Sequence, residues 1–595
     1  MAATRHILSP MPALVNKVLV QVGDHISKGQ EVIILEAMKM ENAIVAEESG
    51  KVTSIQIKEG ETVNKMDKLL SFQLGEGMSK KEVVETKSAS KSNRIEELRE
   101  RKTYLSDAVR PEATAKRRSK NQNTARENIA QLIDAGSFKE YGALIVAAQL
   151  SRRTMDDLIK NTPADGLITG TASINGDLFT GMNTQCMVMA YDFTVLAGTQ
   201  GTMNHVKMDR MIGLARKNKL PTILFAEGGG GRPGDVDVST IAGLYINTFV
   251  EYAGLSIHVP TIAIVSGYCF AGNAALAGSS DIIIGTENIS IGMGGPAMVE
   301  GGGLGKFHPR EIGPATAQTA NGVIDILVKD ETEAIKVAKK YLAYAQGDIA
   351  IFSASNQEQL QKFIPDNRKR TYAIKTVIDL LADEGSVLEL KPNYGKGMIT
   401  ALIRVEGKAM GLIANNSSYE AGAITSENAI KANDFLELCD KSGLPILSLI
   451  DTPGIMVGPE AEKSGTVKHA SKMFRTGARL KAPIFSVVVR RAYGLGAMAM
   501  MGGSTHTSDF IVGWPTAEFG AMGLEGAVKL GYRKELEAVK DPAAREELYN
   551  KMVEEAYERG KAISMATMFE IDDVIEPKET RSWISQGINN YRTRK

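Results

Sequence analysis

The sequence predicts a multidomain chain in which a small all-β unit precedes two α/β domains. Three observations predict it. Residues 1–75 are short β-rich runs separated by GD, KG, SG and EG turns, the pattern of stacked hairpins. Beyond residue 118, apolar runs alternate with glycine turns and longer helical patterns. This second region also repeats itself. LIDAGSFKEYG (132–142) echoes VIDLLADEGSVLEL (377–390), DGLITG (165–170) echoes KGMITA (396–401), and LPTILFAEGG (220–229) echoes LPILSLIDTPG (444–454). VPTIAIVSGYCFAG (259–272) echoes APIFSVVVRRAYGLGA (482–497), and SDIIIG (280–285) echoes SDFIVG (508–513). The order is kept at offsets of roughly 223 to 249 residues, far longer than a solenoid unit, so a whole domain is duplicated.

Taken in order, residues 1–75 form the all-β unit, whose two similar halves meet at EAMKM around Lys39. Residues 76–93 are small and polar without apolar periodicity and read as a flexible linker. Residues 94–118 are highly charged and helix-prone, with a break near Pro111. The first α/β domain is expected over 94–345 and the second over 346–595. Residues 259–280 carry no charge and are long enough to span a bilayer, but Ser266, Gly267 and Asn273 interrupt them. A buried strand, a glycine turn and a buried helix account for this segment better than a membrane span.

Composition narrows the function. The 70 Lys+Arg balance 70 Asp+Glu, so nothing draws the chain to phosphate backbones or anionic lipid. Neither nucleic acid nor a membrane is an expected partner. Cys186, Cys269 and Cys439 are far apart and form no CxxC pair, which fits a reducing compartment. The N-terminal residues show no signal or transit pattern, so the expected location is cytoplasmic. There is no HExxH or GxSxG, the seven histidines are scattered, and no metal site is expected. GGGRPG (229–234) fits G-x-G-x-x-G, but Pro233 and DVDVST do not open a helix on the last glycine. GGGLGKF (301–307) has Glu300 and Phe307 where a phosphate loop needs Gly and Ser or Thr.

Two features carry chemistry. Lys39 lies between Met38 and Met40 at a hairpin tip, exposed to a modifying enzyme, although most turn lysines are merely solvated. The second is a strand, a glycine turn and an Ala/Gly-rich helix that occur twice, in IVSGYCFAGNAALAG (264–278) and VVVRRAYGLGAMAMMGG (487–503). A helix start offers unpaired N–H groups and a positive dipole end. Small residues let a carbonyl oxygen approach those amides, which makes an oxyanion hole without a side-chain catalyst. The same glycines also suit plain helix–strand packing.

The first unit resembles the biotinyl (biotin carboxyl carrier) domain, whose attachment motif is AMKM. The resemblance implies biotin covalently bound to Lys39 by a biotin protein ligase; the related lipoyl domain usually has Asp-Lys-Ala there. Residues from about 94 to 590 resemble the carboxyltransferase of biotin-dependent acyl-CoA carboxylases, a tandem pair of crotonase-like α/β domains. TARENIAQLIDAGSFKEYG, YDFTVLAGTQG, EIGPATAQTANGVID, IDTPGIMVG, GTVKHASKMF, RRAYGLGA and WPTAEFGAMGLEGAV carry it. It implies that the N-terminal domain binds acyl-CoA, with amides at Ala271 and Gly272 on the enolate oxygen. The C-terminal domain would bind biotin, with amides at Gly496 and Ala497 on the ureido oxygen. The carboxyl group would pass from carboxybiotin to the α-carbon of the acyl-CoA. A homo-oligomer, commonly a hexamer, would place the N-domain of one subunit against the C-domain of another. A family position that helps set acyl-chain size is Ala499, beside Met498; a small residue there points to a pocket not restricted to acetyl.

Three departures from the family pattern mark an unusual branch. AEGGGGRPG stands for a Ser-Gly-Gly-Ala-Arg run, Gln318 stands for a histidine, and AYGLGAM stands for AYGGAY. No ATP-grasp-like region is visible, so ATP and Mg would be used on a separate biotin carboxylase subunit. Two other readings share the pattern: the soluble subunit of a biotin-dependent acyl-CoA decarboxylase, and a catalytically silent biotin-carrying scaffold.

Overall fold

The computed structural model describes residues 3–75, 89–237, 243–365, 367 and 370–592. It divides into a unit of residues 1–95 and a unit of residues 96–595.

The first unit contains β1 (Thr4–Leu8), β2 (Ala13–Val18), β3 (His25–Ile26), β4 (Glu31–Ala37), β5 (Met40–Val45), β6 (Gly50–Ile55), β7 (Thr62–Val63) and β8 (Lys68–Leu74). They form two antiparallel sheets, ordered β1-β8-β6-β3 and β5-β4-β2-β7. Alternation turns Val15, Ile33, Leu35 and Leu70 into one buried cluster, which is what makes so small a unit worth folding. The sheets are copies: strands starting at 13, 25 and 31 recur at 50, 62 and 68, 37 positions on each time. Loop bonds repeat too, with Gly29 N–H donating to Ala46 O and Met66 N–H to Ser9 O, both at 2.7 Å. The Lys39 hairpin of one sheet therefore corresponds to the open end of the other, where Leu74 N–H reaches Ala3 O.

Of the stretch read as a linker, residues 76–88 lie outside the described residues. Its remainder is not linker: α1 (Ala89–Thr103) starts there, because the Glu, Leu and Arg residues that follow propagate a helix back into it. The break near Pro111 is the start of α2 (Pro111–Arg118), where the missing N–H costs nothing. A capping box of Thr124 and Glu127 then opens α3 (Ala125–Leu132).

The first half of the large unit holds β9 (Lys139–Tyr141), β10 (Leu167–Ser173), β11 (Gln185–Tyr191), β12 (Thr222–Phe225), β13 (Thr261–Val265), β14 (Tyr268–Phe270), β15 (Ile282–Thr286), β16 (Ser290–Gly292) and β17 (Ile326–Val328). Seven of them form a sheet ordered β17-β15-β13-β12-β11-β10-β9, and β14 pairs with β16. The second half holds β18 (Leu388–Leu390), β19 (Met398–Val405), β20 (Lys408–Asn415), β21 (Ile446–Thr452), β22 (Ile484–Tyr493), β23 (Phe510–Gly513), β24 (Glu518–Gly520) and β25 (Asp573–Val574). Its order, β18-β19-β20-β21-β22-β23-β25 with β24 on β22, is the same topology. One long strand, β22, does the work of both β13 and β14.

In both halves the central strands are parallel, and the helices that join them cover them on both sides, so the strands read as continuous apolar runs. The first half contributes α4 (Thr202–Asn218), α5 (Gly272–Gly278) and α6 (Glu331–Gln346). The second contributes α7 (Ile374–Leu381), α8 (Ser426–Ser442), α9 (Gly494–Met500) and α10 (Thr580–Arg592). α4 and α8 are both 17 residues long, 224 positions apart. Each buries a lysine at the same place: Lys207 Nζ donates to Ala164 O and Leu167 O, and Lys431 Nζ to Lys391 O and Tyr394 O. Tyr341 and Leu342 of α6 share a core with Leu390 and Leu402, so the halves pack on each other near residue 345. Residues 259–280 fold into β13, β14 and α5, and among the described residues no helix is long and apolar enough to cross a membrane.

Candidate active site

Lys39 sits where β4 turns into β5 through a two-residue loop, with Ala37 paired to Met40. Met38 and Lys39 have φ of 52° and 65°, the type I′ geometry that matches the twist of a hairpin and is usually met by Asn-Gly. Met38 is 98% exposed and Met40 69%. A lysine presented in this way, exposed at the tip of a tight hairpin, fits covalent attachment of a prosthetic group.

In the first half, the loop after β12 meets the start of α5. Gln200 N–H donates to Gly230 O and Arg232 N–H to Gln200 O, which turns Gly231 away from this ladder. A β-carbon on Gly230 would lie 3.4 Å from Gly272 N, so loop and helix start touch. Of the two amides expected here, Ala271 N–H is already given to Gly292 O at 3.0 Å, which corrects that expectation. Gly272, the first helical residue, keeps its N–H unpaired. The arrangement is tight: a β-carbon on Gly272 would come 2.0 Å from Gln200 Oε1.

The second half repeats this geometry with different residues. Ile424 N–H donates to Gly454 O and Met456 N–H to Ile424 O, leaving Ile455 in the position of Gly231. Phe270 pairs with Gly292 and Tyr493 with Gly520 in the same way, so Gly494 corresponds to Ala271 and Leu495 to Gly272. The expected pair Gly496 and Ala497 thus lies two residues past the equivalent pair, Gly494 and Leu495. Gly496 is a packing glycine whose β-carbon would meet Gly454 C at 2.5 Å. Ala497 is the fourth helical residue, and its N–H bonds within the helix. Among the described residues no partner takes the N–H of Gly231, Gly272, Ile455 or Leu495. Sequence reasoning missed Gly231 and Ile455; the repeat of LPTILFAEGG in LPILSLIDTPG was the available signal.

The carboxyl transferase domain family matches residues 116–595, and the family described as biotin-requiring enzymes matches residues 5–72. The chain belongs to the carboxyl transferase family. The methylmalonyl-CoA carboxyltransferase 12S subunit of Propionibacterium freudenreichii subsp. shermanii is 30% identical over 85% of this chain and 96% of its own. A structure described as a single-chain, multi-domain long-chain acyl-CoA carboxylase is 47% identical, with a TM-score of 0.80 over 98% of this chain. This chain spans 56% of that one. The transcarboxylase 12S crystal structure, described as a hexamer assembly, gives a TM-score of 0.75 at 29% identity, over 85% of this chain and 96% of its own. The protein is a biotin-dependent acyl-CoA carboxyltransferase of crotonase-like fold that carries its own biotin domain.

The carboxyltransferase halves each hold a buried acid just before the glycine loop. Asp451 is 1% exposed and pairs with Arg490 at 2.8 Å and Arg491 at 2.7 Å, both on β22. Glu227 is 8% exposed, and Arg117 Nη1 donates to both its oxygens at 2.7 and 2.8 Å. Burial pushes the Glu227 carboxyl up to about 7 against the pull of Arg117, with Glu331 and Asp192 adding to the rise. Gln318 donates to Ile291 O at 2.7 Å and so braces β16.

Two cavities lie in the second half, one beside the loop after β21 and one beside the start of α9. One of about 640 Å³ is lined by Lys396, Tyr419, Ser426, Met456, Val457 and Ser464. At the equivalent place in the first half lies an ion cluster in which Arg232 Nη1 meets Asp165 at 2.6 Å and Asp235 at 3.3 Å. The other cavity, about 590 Å³, is walled by Ala497, Met498, Phe519, Leu524, Val528 and Met565. Ala499 is not part of it: one residue on from Met498, it is turned about 100° around α9 onto the buried face and is 1% exposed in the shared core.

Proposed function

We propose that the first half of the carboxyltransferase holds the acyl-CoA and the second half holds biotin. The observation that carries this reading is the pair of unpaired amides at the same place in each half. Gly231 and Gly272 would take the thioester oxygen as it becomes an enolate oxygen. Ile455 and Leu495 would take the ureido oxygen of biotin. Biotin on Lys39 supplies the carboxyl group. Each pair of preorganised amides meets charge that develops only during reaction, a contribution of about 3 kcal/mol for one donor in other oxyanion holes.

The cavity of about 640 Å³ beside Ile455 has the size and mixed polarity of a small-molecule site and suits the biotin ring system. The apolar cavity beside Met498 lies on the second half and suits the acyl chain of a CoA held on the first half of another subunit in the homo-oligomer; kinship with a long-chain acyl-CoA carboxylase supports a long chain. A homohexamer is supported by the 12S assembly. A biotin carboxylase, on a separate chain or on a longer form of this one, would use ATP and Mg, and a biotin protein ligase would load Lys39. The buried thiols of Cys186, Cys269 and Cys439 suit a reducing cytoplasm.

Incubating the biotinylated protein with a panel of carboxylated thioesters tests this reading. Loss of the carboxyl group from one thioester, followed by mass spectrometry, is expected. Lys39→Ala should lose that reaction and regain part of it with free biotin. Silence across the panel with Lys39 fully biotinylated would favour the scaffold reading.

A further inference from the structure

The charged stretch before the first half has a place in this site. Arg110, at the start of α2, donates to Asp192 at 3.0 Å and to Thr194 at 2.6 Å, beyond the end of β11. Arg117, two turns later, reaches Glu227 beyond the end of β12 and lies 3.9 Å from Glu331. Glu331 in turn accepts from Ser266 Oγ, beyond the end of β13, at 2.9 Å. The two arginines therefore gather the carboxyl ends of three neighbouring parallel strands, where ligands of open α/β sheets bind.

A gap in the sheet admits Arg117. Gly267, where the chain breaks between β13 and β14, has φ of 88°, and a β-carbon there would lie 2.4 Å from Glu227 Oε1. Glu227 is followed directly by Gly228-Gly229-Gly230-Gly231, which has no side chains of its own to hold its shape. Glu227 is thus the last anchored side chain before the amide at Gly231.

We propose that Arg117 is a positioning residue for acyl-CoA carboxylation: through Glu227 it holds the glycine loop that presents the Gly231 amide. The inference rests on the proposed division of labour between the halves. Arg117 is 6% exposed and spends its guanidinium on Glu227, so its loss should act on turnover rather than on thioester binding.

The groups facing Glu227 give the effect a pH signature. They are Arg117 on α2, Asp192 after β11, itself paired with Arg110, Glu331 on α6, and the buried Cys269 thiol on β14. Without Arg117, Glu227 stays neutral at low pH and holds the loop; as pH rises it must ionise in a buried site beside Glu331.

The test uses the full biotinylated chain and measures kcat and KM for the acyl thioester from pH 6 to 9, relative to the parent protein. Arg117→Met is expected to lower kcat roughly 10- to 100-fold, part of what losing an oxyanion donor costs, with KM changed less than about threefold. The loss should deepen as pH rises. Adding Glu227→Gln should flatten the profile, and Arg117→Lys should recover part of kcat. If Arg117→Met does not fold, Glu227→Gln alone decides: a pH profile identical to the parent's overturns the proposal. Parent-like kcat at every pH in a folded Arg117→Met also overturns it. A parent protein that transfers nothing would instead count against the function proposed above.

Discussion

The two halves of the carboxyltransferase hold the same acid by different means. Glu227 and Asp451 lie 224 positions apart and precede equivalent loops. In the second half the guanidinium groups come from β22 itself, through Arg490 and Arg491. In the first half the position of Arg490 is Gly267, and the guanidinium arrives from Arg117, outside the repeat. A similar exchange occurs at the helix start. Thr425 caps α8 by accepting from Asn428 N–H, whereas Gly201 precedes α4 with no side chain to cap it and Asp235 accepts from Thr202 N–H instead. What duplication preserved is the electrostatic requirement, a paired buried acid and a satisfied helix end, because burying either unpaired costs several kcal/mol. The residue that meets the requirement was free to change.

The sharpest way to break the comparison is to delete one amide. Leu495→Pro removes the N–H at the second residue of α9, where a helix tolerates proline and the side chain is 60% exposed. Transfer should fall on the order of 100- to 1,000-fold, while the melting temperature changes little. A fall of less than fivefold would show that Leu495 donates nothing to the reaction.

Next comes the acid itself. Asp451→Ala leaves the buried Arg490 and the half-buried Arg491 without their carboxylate and should cost about 3–5 kcal/mol in chemical denaturation. Glu227→Ala should cost less, because Arg117 keeps Glu331 at 3.9 Å. Equal losses would mean that the two clamps are equivalent after all.

Backbone strain offers a smaller contrast. Ala271 has φ of 51° and ψ of −121°, a conformation suited to glycine, while its counterpart Gly494 has φ of 57°. Gly494→Ala should destabilise by about 1–3 kcal/mol, with its β-carbon 2.8 Å from Ala521 O. Ala271→Gly should instead raise stability by up to about 1 kcal/mol, read as a higher melting temperature.

The gentlest test is titration. Burial lowers Lys207 to about 8 and Lys431 to about 7. Above those values the unfolded chain binds more protons than the folded one, so each lysine makes stability rise with pH until about 10.5. Lys431→Met should flatten that rise from pH 7 upward, and Lys207→Met only from pH 8, in urea melts across the range.

Much of this was legible in the residues, and the errors are instructive. The Lys39 hairpin depends on neighbours in sequence, and EAMKM was read correctly as its tip. The duplicated strand, turn and helix were legible because buried parallel strands and small-residue helices leave a strong pattern. Which N–H remains free was not legible, since it depends on Gly292 accepting from Ala271 and on Gly454 pressing against Gly496. The run GGGRPG was set aside as a nucleotide loop and is instead the loop that meets α5.

Taken alone, the sequence determined that this chain has an all-β unit with an exposed lysine and two copies of one α/β fold, because local periodicity and turn chemistry are written in adjacent residues. Only the tertiary structure decided which amides stay unpaired, that Met498 rather than Ala499 faces the apolar cavity, and that Arg117 reaches Glu227. Those outcomes depend on contacts between residues tens to more than a hundred positions apart, whose geometry no local pattern encodes.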